Sequence, residues 1–181
     1  MRTPGTPAAS PGLVVRPATP ADAEAVTRLC DELNEHEGEP VGHFTPELVR
    51  RDGFGRTPPE FRILLALLDG EPAGYAMFHP SYSSEWGQRG VYLQDLFVRH
   101  AARRRGVGRA LLAAVTRAAE ADGRTFVWWC SKAWNANAQA FYAGLGAIEE
   151  DVRAHALFGE PFAALAAKAQ APQPASAEGG S

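Results

Sequence analysis

From Leu13 to Lys168 the chain alternates short apolar runs with amphipathic stretches, and each change of period predicts an element. Leu13-Val14-Val15-Arg16 reads as a first strand. Thr19-Pro20-Ala21-Asp22 opens a helix, because Thr caps free N–H groups, Pro fits the first helical position and Asp suits the positive helix end. Val26, Leu29, Cys30 and Leu33 follow on one helical face. Thr45-Pro46-Glu47 repeats that start signal for a second, shorter helix. Arg62 to Leu68 reads as a buried strand, Asp69-Gly70-Glu71 as a turn, and Ala73 to Phe78 as the hairpin partner. Gly90 to Val98 is a further strand. The stretch from Gly106 to Asp122 is a helix with Leu111, Leu112, Val115 and Ala119 on one face. Thr125 to Cys130 is a strand, and Asn135 to Leu145 a helix with Gly146 past its end. A last strand pair is expected at Ala147–Glu150 and Ala154–Phe158. This order predicts an α/β domain, a mixed sheet with helices on its faces.

The two ends differ from this pattern. Residues 1–12 are rich in Pro, Gly, Ala and Ser, and residues 169–181 offer almost nothing to bury. Both are expected to be disordered tails around one domain at 13–168. Composition excludes more than it identifies. With 18 basic against 21 acidic residues the net charge is −3, a poor basis for a general nucleic-acid or anionic-membrane binder. No apolar run reaches the roughly 18 residues of a membrane span, and the first twelve residues lack a signal-like hydrophobic stretch. A cytoplasmic location is therefore the expectation. Two cysteines and five histidines show no ligand spacing, so no metal site is expected.

The chemistry concentrates after the strand Tyr92-Leu93-Gln94-Asp95-Leu96-Phe97-Val98. There Arg103-Arg104-Arg105-Gly106-Val107-Gly108-Arg109-Ala110 makes a glycine-containing turn into a helix. Such a turn presents backbone N–H groups and a positive helix end to an anion, and its glycines let a diphosphate approach. A Walker A loop is excluded because no Gly-Lys-Ser/Thr end follows. A dinucleotide fingerprint is excluded because the third glycine is missing.

Arg-x-x-Gly-x-Gly after such a strand resembles the acetyl-CoA pyrophosphate loop of the GNAT N-acetyltransferase superfamily. The helix Asn135-Ala136-Asn137-Ala138-Gln139-Ala140-Phe141-Tyr142, with Leu145-Gly146-Ala147 after it, resembles that superfamily's second signature. Arg16-Pro17-Ala18-Thr19, Arg51-Asp52-Gly53-Phe54-Gly55, Gly74-Tyr75-Ala76-Met77-Phe78 and Trp134-Asn135 resemble the spermidine/spermine branch, which includes diamine and thialysine acetyltransferases. The likeness covers roughly residues 13–167. It implies the GNAT acyl-CoA N-acyltransferase fold, in which a mixed central sheet splays between two parallel strands, here those ending near Val98 and Cys130. It also implies a homodimer.

The resemblance assigns roles as well. Leu96, Phe97 and Val98 would pair by backbone with the pantetheine arm of acetyl-CoA. Arg103, Arg104, Arg105, Gly106, Val107, Gly108, Arg109 and Ala110 would take its pyrophosphate, and Asn135, Ala136, Asn137 and Ala138 would meet it at the next helix start. Tyr142 would be the general acid that protonates the leaving thiolate. The branch carries a Glu at the position of Gln94 as base, and an amide cannot accept a proton. Regular alternation would send the adjacent Asp95 to the opposite face of its strand. His36, Glu37 and Glu150 match substrate-side positions of the branch and are alternative bases, as is a water chain. On the acceptor side, Trp128 and Trp129 face opposite sides of their strand, so one is expected in the core and the other is a candidate to line the amine pocket. Cys130 is expected to be a packing residue, since no activating base neighbours it in sequence. The acceptor is expected to be a small cationic amine: a polyamine, a diamine or a lysine-like amino acid. A protein or drug amine is the alternative acceptor, and a non-catalytic acyl-CoA sensor is the alternative class.

Overall fold

The computed structural model describes residues 12–169. The predicted tails at 1–12 and 169–181 fall outside the described residues except for Gly12 and Ala169. The chain forms two compact units, one ending at Lys132 and the other beginning at Ala133.

The first unit is a five-stranded sheet in the order β1-β2-β3-β4-β5. β1 (Leu13–Pro17), β2 (Arg62–Leu68), β3 (Glu71–Ser83) and β4 (Gln88–Val98) are successively antiparallel, and β5 (Phe126–Trp128) joins β4 in parallel. The mixed sheet expected from sequence is thus present. The β3–β4 hairpin runs longer than its apolar pattern, because Pro80–Ser83 and Gln88–Gly90 continue the ladder with mostly exposed residues. Backbone pairing, not burial, defines that extension.

Asp22 anchors the entry to the first helix. Its carboxylate accepts two bonds from Arg16, at 2.7 and 2.8 Å, and one from the Thr19 backbone N–H at 2.7 Å. A short 3₁₀ turn at Pro20–Asp22 then leads into α1 (Ala23–Glu37). Gly38, at φ 73°, ends α1 in the left-handed conformation that glycine adopts without penalty. The predicted second helix is brief: α2 (Pro46–Leu48) runs into a π-helical turn at Val49–Phe54.

Helices cover both faces of this sheet. Ala23, Val26, Leu29 and Cys30 of α1 pack with Ile63, Leu65, Tyr75 and Phe97 on one face. On the other lies α3 (Val107–Ala121), whose Leu111 side chain approaches Gly74. Leu111, Leu112, Val115 and Ala119 of α3 are buried, as their spacing predicted, and Val107 is buried with them.

The second unit contains α4 (Ala136–Ala143) and α5 (Gly159–Ala167). The strand pair expected at 147–150 and 154–158 is corrected here, because those residues are irregular and pair with no strand among the described residues. A strand needs a partner edge, whatever its own propensity. The Ala- and Leu-rich segment after Pro161 forms a helix that the sequence reading missed, with the proline tolerated in its first turn.

Candidate active site

β4 and β5 pair only from Gly90–Phe126 to Tyr92–Trp128. From Leu93 to Val98, β4 therefore has β3 on one side and no strand on the other among the described residues. That open edge holds Leu96, Phe97 and Val98, the residues expected to pair with a pantetheine arm.

The same stretch contains a bulge. Phe78 faces Leu93 and Met77 faces Asp95, so Gln94 is the extra residue with no partner in β3. This corrects the expectation from regular alternation. A bulge inserts one residue and resets the pleat. Tyr92 lies opposite His79 and Asp95 opposite Met77, and those two β3 residues share a face, so Tyr92 and Asp95 share it too. It is the α1 face, since Tyr75, Met77 and Phe97 pack with α1 there. Gln94 itself is exposed.

On that face Tyr75 donates its hydroxyl hydrogen bond to Asp95 Oδ2 at 2.9 Å. Tyr75 is fully buried, with the Cys30 thiol of α1 against its hydroxyl. Burial and the Asp95 charge push the Tyr75 phenol far above its ordinary range, so it stays a hydrogen-bond donor. Burial also raises the Cys30 thiol to about 11. Burial pushes the Asp95 carboxyl up to about 6, with Glu37 adding to the rise and the Tyr75 hydroxyl opposing it. Tyr92 stacks on His79 at 5.4 Å between ring centroids. Its phenol is raised by burial and by the Cys130 thiol beside it. At the end of α1, the Lys132 ammonium lies 3.9 Å from Glu37 and 2.6 Å from Glu39. The fold thus brings together Glu37, Asp95, Tyr92 and Cys130. Trp128 is opposite Tyr92 in the β5 register, and Trp128 and Trp129 are half-buried. His36 occupies the last turn of α1.

The arginine loop has the expected geometry for an anion. After β4, a 3₁₀ turn at His100–Ala102 leads to Arg104 and Gly106, both in the left-handed region at φ 64° and 82°. Arg103 Nε donates to the Val98 carbonyl at 3.1 Å and ties the loop to the end of the open edge. Gly106 precedes the first residue of α3, and an added Cβ there would meet nothing within 4 Å. The first backbone N–H groups of α3, at Val107, Gly108 and Arg109, have no acceptor one turn earlier in the helix. Ala110 N, by contrast, already bonds Gly106 O at 3.0 Å. This cradle fits a diphosphate, with Arg104 and Arg105 exposed beside it. Arg105 also reaches Asp69 at 3.5 Å.

In the second unit, Asn135 caps α4 by accepting from Ala138 N at 3.1 Å. Tyr142 is half-buried one turn beyond Ala138, its ring 5.3 Å from that of Phe141. Ala136 and Asn137 begin α4, and Glu150 lies in the exposed irregular stretch after it.

Comparison with known proteins decides the family. The sequence model of the acetyltransferase (GNAT) family matches residues 26–147. The chain belongs to the GNAT acetyltransferase family. It is 32% identical over 144 residues to a thialysine N-epsilon-acetyltransferase of Bos taurus, covering 75% of this chain and 84% of that one. A Caenorhabditis elegans protein of the same name is 32% identical over 125 residues, 68% of this chain and 76% of that one. An L-ornithine N5-acetyltransferase of Arabidopsis thaliana is 41% identical over 75 residues, 41% of this chain and 33% of that one. Among solved structures, an aminoglycoside acetyltransferase from an uncultured soil metagenomic sample superposes with a TM-score of 0.67 at 18% identity. That match covers 83% of this chain and 99% of the other, and it shows a shared fold.

Two residues of this acetyltransferase's site escape a sequence reading that looks for family positions, Tyr75 and Lys132. Tyr75 had a signal of its own. A tyrosine inside the buried run Ala73–Ala76 needs a partner for its hydroxyl. Lys132 had none, since its carboxylate partners lie some 90 residues away.

The raised Asp95 carboxyl has a consequence for stability. In the unfolded chain it loses its proton near pH 4, and in the fold near pH 6. Between those values the folded chain binds more protons, so stability from this group is present at low pH and falls as pH rises through that window. Asp95→Asn keeps an acceptor for Tyr75 and removes the charge. We expect the variant to be more stable than the native chain by about 2 kcal/mol near neutral pH, with the gain vanishing toward pH 4. Urea unfolding across this range reads it, and a variant less stable at neutral pH would contradict the expectation.

Proposed function

We propose that the protein transfers the acetyl group of acetyl-CoA to a primary amine of a small cationic substrate: a diamine, a polyamine or a lysine-like amino acid. The observation that carries the acceptor class is the ammonium of Lys132 held by Glu37 and Glu39 next to Asp95. An alkylammonium on a flexible chain is the recognition group of such substrates, and the protein's own lysine occupies carboxylates suited to it. Relatives whose names specify thialysine and ornithine point the same way.

Acetyl-CoA supplies the activated acetyl group. The loop from Arg103 to Ala110 would hold its diphosphate, the backbone of Leu96, Phe97 and Val98 its pantetheine arm, and Asn135 to Ala138 the adjoining part. His36, Glu37, Gln94, Asp95, Trp128, Trp129, Cys130 and Glu150 form the acceptor side. Tyr142 donates a proton to the departing sulfur. Orientation by these groups converts a bimolecular encounter into a reaction between fixed partners. No described helix is long and apolar enough to cross a membrane, and we place the reaction in the cytoplasm. We also infer a homodimer. In the second unit Ile148, Phe158, Phe162 and Leu165 are at least half exposed, an apolar surface that a second copy would cover.

The test is thiol release from acetyl-CoA with polyamines, ornithine, lysine, aminoglycosides and lysine peptides. Release is expected with the small diamines and the lysine-like amino acids. Acetyl-CoA at about a hundred times its Kd should stabilise the fold by about 2.7 kcal/mol, a shift of several degrees in Tm. A Tm shift without thiol release from any amine would identify a sensor instead. Release only with peptides or aminoglycosides would move the acceptor class.

A further inference from the structure

We propose that Asp95 is the residue that takes the proton from the acceptor amine, through water, an assignment that rests on the acetyl transfer proposed above. An amine in its ammonium form has no electron pair to attack with, so a base must act. In this step the ammonium N–H bond breaks and the proton passes through water to an Asp95 carboxylate oxygen. The nitrogen keeps the electron pair and forms the N–C bond while the thioester C–S bond breaks. The sulfur takes the proton of Tyr142. The nitrogen's second proton, which the new amide must lose, passes to the Tyr142 phenolate and restores the phenol, while Asp95 returns its proton to solvent, so no oxidant or further reactant is needed.

The geometry carries the assignment. Gln94 cannot accept a proton, but it is the extra residue of the β4 bulge. The bulge turns the next side chain, Asp95, to the same face as Tyr92, where α1 ends with Glu37. Regular alternation would have sent Asp95 away from that face, so the inserted residue re-aims a carboxylate. The bulge lies within the segment of β4 that β5 leaves open.

The surroundings fit a base. Tyr75 of β3 donates to Oδ2 at 2.9 Å and fixes the carboxylate's orientation, leaving Oδ1 for a water. The other ionisable groups facing Asp95 are Cys30 and Glu37 of α1 and Tyr92 of β4, with Cys130 beyond Tyr92 and Lys132 beside Glu37. Cys30, Tyr75 and Tyr92 are all raised and remain neutral near pH 7, so none competes as the proton acceptor. Glu37 is close to an ammonium already, which suits a substrate-holding role. A carboxyl that titrates near pH 6 is ionised at neutral pH and is a stronger base than an ordinary aspartate.

The experiment is the pH profile of kcat/KM for the native protein, Asp95→Asn, Tyr75→Phe and the double variant Gln94→Glu/Asp95→Asn, with the acetyl-CoA-induced Tm shift measured on each. The native profile should rise with pH through a limb near 6. Asp95→Asn should lose about a hundredfold or more at pH 7 and lose that limb, while its Tm shift with acetyl-CoA persists. Tyr75→Phe removes the donor that favours the ionised form, so its limb should move to higher pH. The added glutamate should recover part of the rate. A native-like rate and limb in Asp95→Asn, or an unmoved limb in Tyr75→Phe, would overturn the assignment alone. No thiol release from the native protein with any amine would overturn the acetyltransferase reading, and the assignment with it.

Discussion

Tyr142→Phe should cut acetyl transfer by about a hundredfold while leaving acetyl-CoA affinity near that of the native protein. A positioned general acid contributes on the order of 10²–10⁴ in rate. Departure of a thiolate is the step in this reaction that an acid accelerates. The substitution removes one hydroxyl and keeps the ring, so the packing against Phe141 at 5.3 Å is retained. α4 is capped by Asn135 rather than by the tyrosine. The informative comparison is kcat against the affinity for acetyl-CoA. An interaction made only as the sulfur leaves lowers kcat and kcat/KM together and spares binding. An unchanged kcat would place the acid elsewhere. A parallel loss of rate, affinity and Tm would mean that the hydroxyl is structural.

Gly74→Ala should destabilise the fold by about 3 kcal/mol, a drop of roughly 10 °C in Tm for a chain of this size. Gly74 pairs with Val98 across β3 and β4. An added Cβ would overlap the Phe97 carbonyl oxygen, and it would lie 3.2 Å from Val98 Cα and 3.4 Å from Leu111 Cδ1. Two of these three neighbours are backbone atoms of the last two pairs of the β3–β4 ladder, so the strands themselves must part there. A glycine inside a strand marks such a close approach. The displaced residues are also those of the open β4 edge, so acetyl-CoA should bind the surviving folded protein more weakly. A Tm within about 2 °C of the native value would show that β3 and β4 yield more easily than their pairing implies.

Much of the architecture was legible because its signals are local. The period of apolar residues placed α1 and α3, and the buried run Arg62–Leu68 placed β2 to the residue. Thr19-Pro20-Ala21-Asp22 marked a helix start, which Arg16 reinforces across the turn. The arginine and glycine pattern marked the loop that opens α3. The expected strands after Gly146 failed for the opposite reason. Their short apolar runs carry a propensity, whereas a strand needs a partner edge that local sequence cannot specify. The helix at Gly159–Ala167 follows that irregular stretch, with its proline in the first turn, where no backbone N–H is needed.

The sequence by itself carried the resemblance to the GNAT family, which the family match at residues 26–147 bears out, and with it the expectations placed on the arginine–glycine loop, Tyr142 and Gln94. Those expectations come from the resemblance that the motifs carry. Only the tertiary structure decided which side chain of β4 joins Tyr92 on the face covered by α1. That depended on one unpaired residue in β4, because an insertion in a ladder reverses the facing of every residue after it. It also depended on Tyr75, twenty residues from Asp95 in the chain and 2.9 Å from it in the fold. Burial on that face then changed the acid–base behaviour of a residue whose sequence neighbours gave no sign of it.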